Sequence, residues 1–507
     1  MPDHDHHGNR LQQEPLPAGR GWTALHAPVV GALFARRWRT LGSGLLVALG
    51  LSMAGQIARG HAPGQDFALR PCTYGRESAP ADCGRLTVFE NRAARRGRRI
   101  DIHFLVVRAD RPGARQALFL FAGGPGQGST MMAPVADGWA RRVRAGQDVV
   151  MVDQRGTGGS HPLDCGFNSE ANPAAAFGHV YDPGAVARCR AALEQDADLT
   201  QYTTDLAIED VEDVRARLGY EKVSLYGGSY GTRMAQAYLR RYPGRVSSVV
   251  LDGVVPFDKG GPLTYARTAQ QALDRVFAAC AATPACRRAH PRPADDMAAI
   301  LTRLAAAPAR ATITRRTGPP ATIRMSVGDF GYAVRGILYN ARTGLQLPDL
   351  LGRAVATRDL NEFAQRYFDR EVGFERTLAY GLHFSVFCSE DVPFPTERDI
   401  VEATSGTFLG RYLFDEYRHA CAQWPRGSIR ADARAPVAAR VPTLLVSGWL
   451  DPSTPPEFAE WVARSLPESR LVVSPSTAHG SVSGCAAPAA AHLLATGSFA
   501  GMPDVCR

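Results

Sequence analysis

Lys222-Val223-Ser224-Leu225-Tyr226-Gly227-Gly228-Ser229-Tyr230-Gly231-Thr232-Arg233-Met234-Ala235-Gln236 is the stretch on which the reading of this chain turns. Residues 222–226 read as a buried strand and residues 232–239 as a helix. A Gly-x-Ser-x-Gly turn stands between them. Such a strand–turn–helix unit is a nucleophile elbow. Its glycines permit a reversal so sharp that the serine is held in a strained conformation with its hydroxyl clear of the sheet. The helix N-terminus beneath it favours negative charge.

Outward from the elbow, apolar runs typical of buried parallel strands occupy residues 117–121, 149–152 and 246–251. Opening strands are expected at 86–89 and 100–107. The second alternates in its first half, as an antiparallel edge strand would. Ala207, Val211, Val214 and Leu218 recur at helical spacing, and Gly219 ends that helix. Late strands are expected at 443–446 and 470–473. Strands alternating with helices predict an open α/β sheet. Residues 256–440 differ: they are Ala/Arg-rich and mainly helical, for example over 273–282 and 298–306, with no comparable series of buried strands. They are expected to form a lid inserted between a core half at 70–255 and another at 441–507.

The chain has 507 residues with 45% hydrophobic and 21% charged content, the balance of a folding globular protein. Its net charge of +9 is almost all arginine, since Lys222 and Lys259 are the only lysines. The basic residues are scattered. The run Arg95-Arg96-Gly97-Arg98-Arg99 falls between two expected strands and reads as a solvated turn, so nucleic acid is not an expected partner.

Residues 1–60 read as a leader. Arg36-Arg37-Trp38-Arg39 is a positive flank, residues 45–51 are a short apolar run, and Ser52-Met53-Ala54 resembles a small-x-small cleavage site. Secretion or delivery to the periplasm is expected, with membrane attachment if the segment stays uncut as an anchor. Ten cysteines, none of them in the leader, fall into close sequence neighbours. The simplest pairing is sequential: Cys72 with Cys83, Cys165 with Cys189, Cys280 with Cys286, Cys388 with Cys421, Cys485 with Cys506. Other pairings remain open to the sequence. No C-x-x-C spacing invites zinc, and structural disulfides fit an exported protein.

Hydrolysis by an activated serine needs a nucleophile, a base, an orienting acid and an oxyanion hole. Ser229 is the candidate nucleophile. Asp451, in Ser447-Gly448-Trp449-Leu450-Asp451-Pro452 after a strand, is the candidate acid. His479, in Ser476-Thr477-Ala478-His479-Gly480 after the last strand, is the candidate base. Loops at the C-terminal ends of parallel strands are where α/β sheets meet ligands, and the chain order Ser, Asp, His is that of the elbow architecture. His103, His383 and His419 lack such a context and are expected in the core or lid. The oxyanion hole is expected from the backbone N–H of Tyr230 and of Gly124, the latter in Ala122-Gly123-Gly124-Pro125-Gly126-Gln127-Gly128. That loop lacks phosphate-binding spacing. Asp153 and Arg155, in Asp153-Gln154-Arg155-Gly156-Thr157-Gly158, are expected to brace it. No metal or cofactor is called for.

Taken together, Gly123-Gly124-Pro125-Gly126, the Asp153–Gly158 run, the elbow, Ser447 to Pro456 and Ala478-His479-Gly480 resemble the proline iminopeptidase and tripeptidyl aminopeptidase group of α/β-hydrolase serine peptidases. The cysteines and the ending after His479 look closer to the secreted tripeptidyl type. The resemblance implies an α/β-hydrolase fold and cleavage near a free peptide N-terminus. It also implies lid acids that hold the substrate ammonium, for which Glu390 and Asp391 are the candidates, ahead of Glu371 and Glu375. One departure is Ala122, where the family loop often begins with histidine. A small ester is the alternative substrate, and a non-enzymatic binding scaffold the alternative role. Oligomeric state is left open.

Overall fold

The computed structural model describes residues 67–506 apart from 76, 77, 112, 114 and 483. The expected leader lies outside the described residues. Eleven strands are present: β1 Phe67–Tyr74, β2 Ala79–Phe89, β3 Arg99–Val107, β4 Gln116–Phe121, β5 Asp148–Val152, β6 Lys222–Gly228, β7 Val246–Asp252, β8 Ala309–Ile313, β9 Ala321–Met325, β10 Thr443–Gly448 and β11 Ser469–Ser474. Nine of them form one sheet in the order β1-β2-β3-β5-β4-β6-β7-β10-β11. Strands β1, β2 and β3 run antiparallel, as do β3 and β5. From β5 to β11 every pairing is parallel. The chain thus has an α/β-hydrolase fold with a mixed, mostly parallel sheet.

Alternation along the central strands explains their uniformly apolar sequence. Phe119, Phe121, Val150, Val152, Leu225, Val249, Leu251 and Leu445 pack on one face. Leu118, Leu120, Val149, Met151, Tyr226, Val250, Leu444 and Val446 pack on the other. Both faces are covered by helices, so neither carries a polar stripe. Helices Thr204–Leu218 and Tyr230–Arg241 cover the first face, and Ala487–Thr496 covers the second. Each fully buried Val or Leu adds about 1.5–3 kcal/mol of apolar burial.

Two expectations need correction. Residues 100–107 are not an edge strand: β3 lies between β2 and β5, and the edge is β1, which the sequence reading missed. Polar positions such as Asp101 and His103 are partly exposed in an interior strand, which produced the edge-like pattern. The segment between β7 and β10 is mainly helical as expected, yet it also holds the antiparallel hairpin β8–β9. Each hairpin strand buries only two residues, Ala311 and Ile313 against Ile323 and Met325, amid arginines, so the run gives little apolar signal.

The ten cysteines form the five sequential disulfides. Such a set fits folding in an oxidising, extracellular-type environment. Among the described residues, no helix is long and apolar enough to cross a membrane.

Candidate active site

The loops that carry the candidate chemistry leave the C-terminal ends of neighbouring strands. Ser229 follows β6 with φ 55° and ψ −124° and begins the helix Tyr230–Arg241. The glycines beside it are sterically required. A Cβ on Gly227 would strike the Gly231 carbonyl, and a Cβ on Gly231 would strike the Phe121 carbonyl. The Ser229 N–H donates to the Asp252 carbonyl at the end of β7 (2.8 Å). The structure therefore holds the serine in the strained elbow conformation, partly exposed, over a helix N-terminus.

Asp451 and His479 are brought together. His479 Nδ1 lies 2.8 Å from Asp451 Oδ2. The carboxylate also accepts from the N–H of Ser453 and Thr454 (2.8 and 2.9 Å) and from Thr454 Oγ1 (2.7 Å). Asp451 is fully buried. Burial opposes its charge, but His479 and the Thr454 donors outweigh it and hold its pKa below the usual carboxylate range. Burial likewise opposes a charge on His479. The Asp451 charge and hydrogen bond outweigh that, helped by Tyr339 and Asp252, and raise the imidazole pKa above that of ordinary histidine. An imidazole held this way has Nδ1 protonated and Nε2 free to take a proton.

One cavity gathers the remaining pieces. Gly124, Pro125, Ser229, Tyr230 and Arg233 line it from the core, with Ser453 and Thr454 from the Asp451 loop. Gly261, Tyr265 and Phe387 line it from the insertion. Ser229 thus shares a cavity with Gly124, with Tyr230 and with Thr454, whose hydroxyl lies 3.1 Å from His479 Nδ1. Gly124 has φ 110°, a conformation that L side chains rarely adopt.

Asp153 holds the segment that follows the glycine loop: it accepts from Thr130 N (2.8 Å), Thr130 Oγ1 (3.0 Å) and Gly159 N (2.9 Å). Arg155 does something else. It binds Asp210 through two nitrogens (2.6 and 2.9 Å) and the carbonyls of Glu90 and Gln201, fixing the helix Thr204–Leu218. His103 faces Asp153 at 3.3 Å, and His419 is exposed.

Three contributions escaped the sequence reading, which expected His383 only generally in the core or lid. His383 Nδ1 lies 2.8 Å from the Pro125 carbonyl, which can only accept, so Nδ1 carries the proton. Burial pushes the His383 pKa down to about 4, and its Nε2 accepts from Tyr417 (2.9 Å). This insertion histidine pins the glycine loop in a chain whose loop begins with Ala122. Asp252 accepts from Ser481 N and Val482 N (2.8 and 3.1 Å) and fixes the turn after His479. The Tyr339 carbonyl accepts from His479 N (3.3 Å), and the two rings meet edge to face. No local motif announces these partners, because each acts across a large sequence separation.

The four candidate amine-binding acids divide. Asp391 is buried and bound bidentately by Arg233, at 2.7 and 2.6 Å. Glu390 is buried and accepts from Thr204 N and Oγ1, both at 2.7 Å. Burial pushes its pKa up to about 7. Arg233, one helical turn after Ser229, lines both the Ser229 cavity and a second one that Glu390 lines. Glu371 pairs instead with Arg370 (3.0 Å), and Glu375 accepts from Asn168 N (2.8 Å).

An elbow serine after β6, with an Asp–His pair on the loops after β10 and β11, defines the class, and a family model for the alpha/beta hydrolase fold matches residues 116–482. The chain belongs to that family. The serine protease Hip1 of Mycobacterium tuberculosis is 27% identical over 386 residues, 70% of this chain and 73% of its own. A tripeptidyl aminopeptidase of Streptomyces lividans is 32% identical over 197 residues, 35% of this chain and 36% of its own. A proline iminopeptidase of Aeromonas sobria is 30% identical over 162 residues, 31% of this chain and 33% of its own. The protein is therefore a serine hydrolase with peptidase homologues.

Proposed function

We propose that this chain is an exported aminopeptidase that releases one or a few residues from free peptide N-termini. In this reading Ser229 Oγ attacks the scissile carbonyl as His479 Nε2 takes its proton. Asp451 keeps His479 in the reactive tautomer. The N–H groups of Gly124 and Tyr230 receive the oxyanion. The proton on His479 passes to the leaving amine as the C–N bond breaks, leaving an acyl group on Ser229. Water, deprotonated by His479, then releases it. The five disulfides support export.

A charge imbalance carries the peptide reading. Asp391 is paired with Arg233, which lines the cavity of Ser229, whereas Glu390 is held by Thr204 and, among the described residues, is in no ion pair. A substrate ammonium entering there balances the second carboxylate. The peptidase names of the relatives support the same reading. The apolar lining from Phe387, Val255 and Phe458 favours a second reading, small acyl esters.

Mass spectrometry of matched peptides with free and acetylated N-termini tests the choice. Only the free forms are expected to be cut. Equal cleavage of both forms would remove the ammonium site from the account, and cleavage of esters alone would favour the second reading.

A further inference from the structure

Arg335, on the insertion helix Val327–Leu338, is a buried cation with too few partners. The residue is 4% exposed. Its Nη2 donates to the Tyr339 hydroxyl (2.7 Å) and reaches Ser453 Oγ at 3.5 Å. Its guanidinium carbon lies 4.2 Å from the Tyr265 ring centre and 5.0 Å from that of Tyr339. Its Nε is buried with no acceptor. Among the described residues no carboxylate lies within ion-pairing distance of it. Arg370 is a second guanidinium nearby, and its partner Glu371 is the one carboxylate of the group. Two guanidiniums thus share one carboxylate. A buried cation without an anion is destabilising, and neutral tyrosines offset only part of that.

This surplus of positive charge borders the cavity of Ser229. Tyr265 and Ser453, both in contact with Arg335, line it. The next residue, Thr454, touches Asp451 and His479, so Arg335 stands on the side where the leaving group takes its proton. Arg233, paired with Asp391, lines the same cavity, and the proposed function sends the substrate ammonium to Asp391 and Glu390. The arrangement is complementary to a zwitterion. The Tyr339 hydroxyl responds to the same field: burial acts to raise its pKa, but Arg335 and His479 outweigh burial and lower it.

We infer that the site binds the C-terminal carboxylate of a short peptide beside Arg335 and Ser453, so that the substrate is read at both charged ends. The inference rests on the aminopeptidase reading and narrows it to short peptides with a free carboxylate.

The test uses the full protein and alanine peptides of two to eight residues, each with a free N-terminus and either a free or an amidated C-terminus. For the shortest good substrates, amidation is expected to raise KM about tenfold, with a smaller change in kcat, as loss of one charge-assisted contact implies. The difference should vanish in the longest peptides, whose carboxylate passes beyond Arg335. Arg335→Gln should bring the ratio of free to amidated KM close to one, while Arg335→Lys keeps part of it. Equal KM for both forms at every length would overturn the inference and leave Arg335 a structural cation held by tyrosines. Acetylated peptides keep the two claims separate: their cleavage would count against ammonium binding, while the effect of amidation is still read on its own. If no peptide is cut, calorimetric titration of the Ser229→Ala protein with the free and amidated tripeptides decides. Tighter binding of the free form supports the inference, and equal or absent binding overturns it.

Discussion

Ser229, Asp451 and His479 stand on loops leaving β6, β10 and β11, whereas Asp391, Glu390 and Arg335 belong to the helical segment between β7 and β10. The first set is held by backbone. Ser229 N bonds a neighbouring strand end, and Asp451 is caught by two backbone N–H groups and a hydroxyl. The second set is held mainly by side chains, Asp391 by Arg233 and Arg335 by Tyr339, with Glu390 held by both the N–H and the hydroxyl of Thr204. In the proposed function, strand ends carry the reacting groups, and the insertion supplies charges that a substrate completes. On that proposal chemistry and selectivity sit on separate parts of the chain and should respond differently to substitution.

That contrast can be broken at several points. The largest effect is expected at the strand-borne pair. Asp451→Asn should lower kcat by about 10⁴, because Asn leaves the wrong His479 tautomer in place, with little change in KM. The pH profile should move as well. The base works when neutral, so activity rises as pH climbs through the His479 pKa, which Asp451 holds high. Removing that charge lowers the pKa, and the acid limb of kcat/KM should shift to lower pH. An unmoved limb would detach Asp451 from the base.

Next in size is a change in the insertion. Asp391→Ala leaves Arg233 buried and unpaired, and should cost about 3–5 kcal/mol in urea unfolding. If stability stays unchanged while activity is lost, the pair is not the structural tie described here. A smaller loss, about 2–4 kcal/mol, is expected from replacing Cys388 and Cys421 with serine, which opens a bridge spanning 33 residues. Glu390 and Asp391 lie two and three residues after Cys388, so KM for free-amine peptides should rise more than kcat falls. The reverse pattern would place the bridge's influence on the Ser229 side.

The pH dependence of KM is the mildest probe. Burial pushes the Glu390 pKa up to about 7. As pH falls below 7 it becomes neutral and gives up its attraction for an ammonium, so KM for peptides should rise severalfold toward pH 5. In Glu390→Gln that slope should flatten.

The same contrast decided what could be read from sequence. Central strands such as residues 149–152 are buried on both faces and show it in composition, and the elbow announces itself because only glycine fits at 227 and 231. The placement of Asp451 and His479 after strands was legible, and the structure brings the two side chains together. The bond between Arg155 and Asp210, the pin from His383 to Pro125 and the unpaired Arg335 were not legible, since each depends on how distant helices pack. β1 was missed because Phe67–Tyr74 is an edge strand of mostly exposed or half-exposed residues, with little periodic signal.

The most direct test of the account is to treat the protein with a fluorophosphonate and map the adduct by peptide mass spectrometry. The account predicts one adduct, on Ser229, formed with loss of all turnover and absent from Ser229→Ala. Modification at another serine, or full turnover with Ser229 blocked, would contradict it.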